Sequence, residues 1–309
     1  MRSKLILPTF FPRLTQTSRI LTNSRKMSTF IVPNSNPQLP VHLTPDLTQD
    51  QLLSFPAFKI WLSTLQHSLS RQADTSHAFH AEPYVLRQIQ IQAVDFFGGG
   101  RLGFLKLKAE VSNDHGEKLP GSVFLRGGSV AMLLILQPND TRSPSDSDRY
   151  AILTIQPRIP AGSLGFPEIP AGMLDDRGTF AGGAAKEIQE ETGLVIPQDE
   201  LIDLTALANN LSRKGREQQE GGEPEKLQAA VYPSPGGSDE FIPLFLCQKQ
   251  MAKREIEELQ GKLTGLRGQG EKITLKVVRL DELWKEGWRD GKTLAAWALY
   301  QGLKGEGLL

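Results

Sequence analysis

The chain predicts an α+β fold with a mixed sheet, and three observations carry that prediction. Apolar and polar residues alternate over residues 86–111, near-continuous apolar runs occupy 130–136 and 150–155, and residues 180–191 carry apolar positions at helical spacing before further apolar runs at 241–247 and 273–278. Strands on both sides of a helix, joined by hairpins and not by regular βαβ repeats, call for an α+β domain. No internal repeat is present.

In chain order, the first 45 residues hold six basic residues (Arg2, Lys4, Arg13, Arg19, Arg25, Lys26) and no Asp or Glu before Asp46. This is the composition of a transit peptide for mitochondria or another organelle, so 1–45 is expected to be disordered. Translation from Met27 would leave a cytosolic form. Phe58, Trp61, Leu62, Leu65 and Leu69 predict a short amphipathic helix over 55–69. Ile89, Ile91 and Ala93, then Leu105, Leu107, Ala109 and Val111, predict two one-sided strands. Gly98, Gly99 and Gly100 between them lack the following Lys-Ser/Thr of a phosphate loop and read as a hairpin turn. Residues 46–122 therefore form an N-terminal helix and antiparallel sheet, and 123–309 the main domain. Within it, residues 209–226 are rich in charge, Gln and Gly and predict a mobile surface insertion. Residues 293–303 predict a closing helix with Leu294, Trp297 and Ala298 inward.

A chain of 309 residues with 39% hydrophobic residues buries a full core. Lys plus Arg and Asp plus Glu both total 35, so no global field draws the chain to nucleic acid or an anionic membrane, and any phosphate site is local. No run of the roughly 18 apolar residues of a membrane span is present. The single cysteine, Cys247, forms no internal disulfide, fits a reducing compartment, and reads as core.

The chemistry concentrates in residues 172–194. On a helix Glu187, Glu190 and Glu191 fall at i, i+3 and i+4, an exposed row of carboxylates that suits oxygen-seeking Mg²⁺ with substrate phosphates. Phe180, Ala184, Ala185 and Ile188 would face the sheet, and Gly193 would end the helix in a left-handed conformation. All five histidines precede residue 116, so a carboxylate is the better general base. The turn-rich segment 232–242 can place Glu240 over a site.

Gly172, Glu187, Ile188, Glu190, Glu191, Gly193 and Leu194 resemble the Nudix box with every spacing intact. Gly178 stands where the family has its first glutamate, and Lys186 replaces an arginine. Ser234 to Glu240 resembles the loop of the ADP-ribose and ADP-sugar diphosphatases within that superfamily, in which the matching glutamate is the catalytic base. Further likeness to the plant chloroplast type runs through Arg101 to Lys106, Glu168 to Asp176, Thr264 to Arg267 and Asp281 to Trp284. The resemblance implies an α/β/α Nudix sandwich and Mg²⁺ as cofactor, with Mn²⁺ as a substitute. It implies hydrolysis of ADP-ribose or ADP-glucose to AMP and a sugar phosphate. By position it makes Glu187 and Glu191 the principal metal ligands, with Glu190 and the Ala171 carbonyl as further ones. Glu240, with Glu190, forms the catalytic set, Arg158 contacts phosphate, and Glu168 helps bind the nucleoside or sugar. It also implies a homodimer in which the N-terminal sheet, residues 86–111, completes the partner's pocket. Two alternatives stay open: a dinucleotide- or coenzyme A-type Nudix enzyme, and a weakly catalytic nucleotide-sugar-binding module.

Overall fold

The computed structural model describes residues 28–140, 145–174, 179–216, 225–266, 268 and 270–309. The segment 1–27 with Met27, and Asp175, Asp176, Gly178, residues 217–224 and Arg267, lie outside the described residues.

The N-terminal sheet contains β1 (Ser28–Ile31), β2 (Pro40–Leu43), β3 (Val85–Phe96), β4 (Leu102–Ser112), β5 (Lys118–Leu119) and β6 (Ser122–Leu125), the last pairing with β4. Helices α1 (Gln49–Ser54) and α2 (Pro56–Ser70) cover one face, where Phe58 and Leu62 join Ile89, Ile91, Leu105 and Leu107 in one apolar core. Two expectations are corrected. Disorder does not extend to residue 45, because Val41 and Leu43 of β2 are buried in that core; a four-residue strand is too short to show its period. Over 46–122 the sheet is antiparallel as expected, and β2, which precedes that span, adds to β3 in parallel across the long crossover through α1 and α2. Ala93 is exposed, since a register shift between Ile91 and Ala93 turns the strand over.

The second sheet has the order β11-β12-β7-β8-β14-β13. Its strands are β7 (Ser129–Pro138), β8 (Tyr150–Arg158), β9 (Ser163–Glu168), β10 (Ala171–Met173), β11 (Ile202–Asp203), β12 (Leu244–Met251), β13 (Leu263–Thr264) and β14 (Ile273–Arg279). Its helices are α3 (Phe180–Thr192), α4 (Leu204–Arg216), α5 (Lys253–Leu259), α6 (Leu283–Glu286) and α7 (Gly291–Gly305). Strand β12 is parallel to β7, whereas β8 and β14 are antiparallel to their neighbours, so the sheet is mixed as expected. The run starting at Phe241 becomes strand only at Leu244, after Pro243, which has no N–H for the ladder.

Strand β7 explains the layering. Val130, Met132, Leu134 and Leu136 pack with Ala184 and Ile188 of α3 and Ile256 and Leu259 of α5. Ala131, Leu133 and Ile135 pack on the other face with Leu204, Leu283, Ala296, Tyr300 and Leu303 from α4, α6 and α7. A strand buried on both faces needs an unbroken apolar run, and the product is an α/β/α sandwich.

Strands β7 and β8 pair only at Ile135–Ala151 and Leu136–Tyr150. Beyond that point they diverge, β10 pairing with the start of β7 and β9 with the end of β8. The fork sets the turn between β9 and β10 beside α3. Two further corrections concern helices. The expected insertion at 209–226 begins inside α4, whose helix runs to Arg216. The inward face of α7 is Thr293, Ala296, Tyr300 and Leu303; Leu294 and Ala298 are exposed, because the Asp290 cap sets the phase. Among the described residues no helix is long and apolar enough to cross a membrane.

Candidate active site

Helix α3 is fixed at both ends and along one stripe. Thr179 Oγ1 accepts from Gly182 N at 3.0 Å, and Gly193 closes the helix at φ +76°, the left-handed geometry expected of it. Ala184 and Ile188 are fully buried, and burial of Ile188 alone contributes about 2 kcal/mol. Phe180 departs from expectation: it is 39% exposed and meets Phe241 edge-on at 6.4 Å.

The three α3 glutamates take different positions. Gly172 gives Glu187 its room, since a Cβ at Gly172 would lie 1.8 Å from the Glu187 carboxyl carbon. Any side chain at 172 would displace that carboxylate. Glu190 lies 4.0 Å from Lys186, one helical turn back. Glu191 corrects the expectation of an exposed row: it is 5% exposed, accepting from Ala171 N at 2.9 Å and from Gln156 Nε2 at 3.1 Å. Burial pushes its carboxyl up to about 8, against those two hydrogen bonds, and the charges of Glu168 and Glu187 push the same way. Gln156 is itself buried and was not singled out from the sequence.

At the end of β9 Glu168 is 2% exposed and sits between two cations. Its Oε1 accepts from Arg158 Nε at 2.6 Å and its Oε2 from Lys292 Nζ at 2.7 Å. The resemblance made Arg158 and Glu168 substrate contacts; the structure pairs them with each other.

The loop carrying Glu240 reaches the same end of the sheet. Phe124 N donates to Gly237 O at 2.8 Å, and Asp239 accepts from Arg126 N at 2.7 Å and from Gly127 N at 3.0 Å. Asp239 is thus a loop anchor, and burial raises its carboxyl despite those donors. Glu240 Oε1 accepts from Ser129 Oγ at 2.8 Å and lies 3.2 Å from Arg126 Nη1. Ser129 pairs with Met173 and Val130 with Gly172, so Glu240 is anchored one ladder step from the glycine that cradles Glu187. Beside them a cavity of about 700 Å³ opens between the two sheets, lined by Phe97, Arg101, Arg126, Phe180, Lys186 and Phe241 among others. The β3–β4 hairpin thus faces the α3 of its own chain. Cys247 is buried, as expected, and burial pushes its thiol up to about 11.

Among the described residues, no three His, Cys, Asp or Glu side chains form a ready-made metal cage. The donors nonetheless fit a divalent cation. Glu191 is a buried carboxylate whose described hydrogen-bond donors are both neutral, and the Glu187 carboxylate lies beside the same β10 strand in the room that Gly172 leaves. A cation there would offset the cost of burying Glu191 ionised.

No family model matches the chain. It is 39% identical over 254 residues to Nudix hydrolase 14, chloroplastic, of Arabidopsis thaliana, an alignment covering 82% of this chain and 72% of that protein. A crystal structure of an ADP compounds hydrolase covers 73% of this chain and 99% of its own, at 14% identity and a TM-score of 0.42.

Proposed function

The chain belongs to the Nudix hydrolase family, and on that premise we propose that it hydrolyses the diphosphate of an ADP-sugar, ADP-ribose or ADP-glucose, to AMP and a sugar phosphate with Mg²⁺. The observation that carries this reading is the meeting of three elements at one sheet end: Glu187 in the Gly172 cradle, buried Glu191 on the Ala171 amide, and Glu240 tied to Ser129. Glu187 and Glu191, with Glu190 and the Ala171 carbonyl, would hold the metal. When bound it neutralises diphosphate charge and lowers the pKa of water.

The chain's own groups supply the rest. Glu240 Oε1 is engaged by Ser129 and Arg126, which leaves Oε2 to take the proton as water attacks phosphorus and the bridging P–O bond breaks. Arg158 gives its Nε to Glu168, which leaves its two terminal nitrogens for phosphate oxygens. The Ser234–Glu240 resemblance favours an ADP-sugar over a dinucleotide or coenzyme A. A hydrolysis screen across nucleotide-sugars, dinucleotides and coenzyme A, with both products identified, tests the reading. AMP and sugar phosphate from ADP-ribose or ADP-glucose support it; turnover confined to dinucleotides or coenzyme A contradicts it.

The same proposal extends to location and assembly. The basic, acid-free N-terminus directs organelle import, a reading supported by the chloroplastic relative, and the chain works as a homodimer. A fluorescent fusion to residues 1–45 should enter an organelle; diffuse cytosolic signal from a fusion retaining Met1 contradicts this.

A further inference from the structure

Lys292 drew no notice as sequence, yet its ammonium lies behind the candidate site. The side chain is 17% exposed, and Nζ donates to Glu168 Oε2 at 2.7 Å and to Asp290 Oδ1 at 2.9 Å. Glu168 gives its other oxygen to Arg158 Nε at 2.6 Å, so one buried carboxylate is shared between an inward lysine and an arginine that is 40% exposed. Asp290 is held in turn: its Oδ2 accepts from Thr293 N at 3.1 Å and from Thr293 Oγ1 at 2.7 Å. Thr293 Oγ1 also accepts from Ile169 N at 3.1 Å, in the turn leading to Ala171. Burial pulls the Lys292 ammonium down, but the charges of Glu168 and Asp290 outweigh it and its pKa lies above the ordinary lysine value. Arg158, Glu168, Lys292 and Asp290 thus alternate in sign and sum to zero formal charge.

That alternation governs the arginine. With Lys292 in place, Glu168 has one oxygen free for Arg158 and takes only its Nε. Without the ammonium, Glu168 Oε2 becomes a buried acceptor lacking its donor, in a cluster of net negative charge. The guanidinium is then the nearest cation able to satisfy both oxygens, and in doing so it turns its terminal nitrogens inward.

We propose that Lys292 is a positioning residue for substrate binding, which holds Glu168 so that Arg158 faces the diphosphate. The inference rests on the reading above that Arg158 contacts a substrate phosphate. The test is steady-state kinetics of the full chain on ADP-ribose for K292M, R158Q and the double variant. K292M should raise KM roughly tenfold with kcat within about twofold of wild type, and should add nothing to KM in the R158Q background. An unchanged KM in K292M, a fall in kcat alone, or an equal KM increase in both backgrounds overturns the inference while leaving the Arg158 assignment standing. A wild-type KM in R158Q instead overturns that assignment and the inference with it. K292Q replaces K292M if the methionine variant does not fold. If neither folds, Lys292 is a structural residue and the inference is overturned.

Discussion

Glu168, which meets Lys292 of α7, and Glu191, on α3, are both almost fully buried, at 2% and 5% exposure, yet the molecule treats them oppositely. Glu168 lies between Arg158 and Lys292, two cations supplied by the chain. Among the described residues Glu191 receives an amide N–H and a glutamine side chain and no cation, and its carboxyl is pushed up to about 8. The charge of one is already balanced by the chain's own cations. The other, given none by the described residues and next to a second glutamate in a glycine cradle, is the place where the proposed Mg²⁺ would bind.

The largest effect should come from breaking the second arrangement. Glu191→Gln keeps the shape and the Ala171 hydrogen bond but removes the charge, and hydrolysis of ADP-ribose should be almost abolished in a variant that still folds. Near wild-type turnover would remove Glu191 from the site. Next in size is the proton acceptor. Glu240→Gln should lower kcat by roughly 10²-fold with KM little changed. Asp239→Asn is the control, because Asp239 anchors the loop to Arg126 and Gly127. It should cost thermal stability before it costs kcat, and the opposite ranking would place the base at Asp239.

The charge-balanced glutamate should answer in stability. Glu168→Gln leaves Lys292 and Arg158 short of their shared anion and should cost roughly 3 kcal/mol in chemical denaturation. A shift below about 0.5 kcal/mol would mean the network relaxes freely. Glu191→Gln should do the reverse in metal-free protein. Its folded-state pKa is raised, so the stability associated with its protonated form is complete below the ordinary carboxyl range and is lost as pH rises through about 8. The variant should therefore melt higher than wild type above pH 8, with the gap closing below pH 5. A gap that does not vary with pH would put the effect elsewhere.

The comparison also shows what a sequence displays. The β7 run was legible because both faces are buried, and α3 because Ala184 and Ile188 fall at helical spacing beside the glutamates. The Gly172–Glu187 contact was legible as a spacing, although its cause, a carboxylate filling the absent side chain's volume, appears only in three dimensions. Gln156, Ser129, Arg126 and Lys292 were not legible. Each is a single polar residue with a partner 35 to 124 positions away, although Lys292 also meets Asp290 and Gln156 also meets Thr154. No local period marks such pairs. The exposed Leu294 and Ala298 of α7, where only Trp297 of the three expected residues packs on the core, and the exposed Ala93 were lost for another reason: a cap and a bulge reset the phase of an otherwise readable pattern.

Thermal melting of metal-free wild type and Glu191→Gln at pH 8, with and without millimolar Mg²⁺, tests whether Glu191 binds the metal. Wild type should gain several degrees on Mg²⁺ addition, since a ligand that binds only the folded state stabilises it by mass action, and the variant should gain little. Equal gains in both proteins, or none in wild type, would remove Glu191 from the metal site.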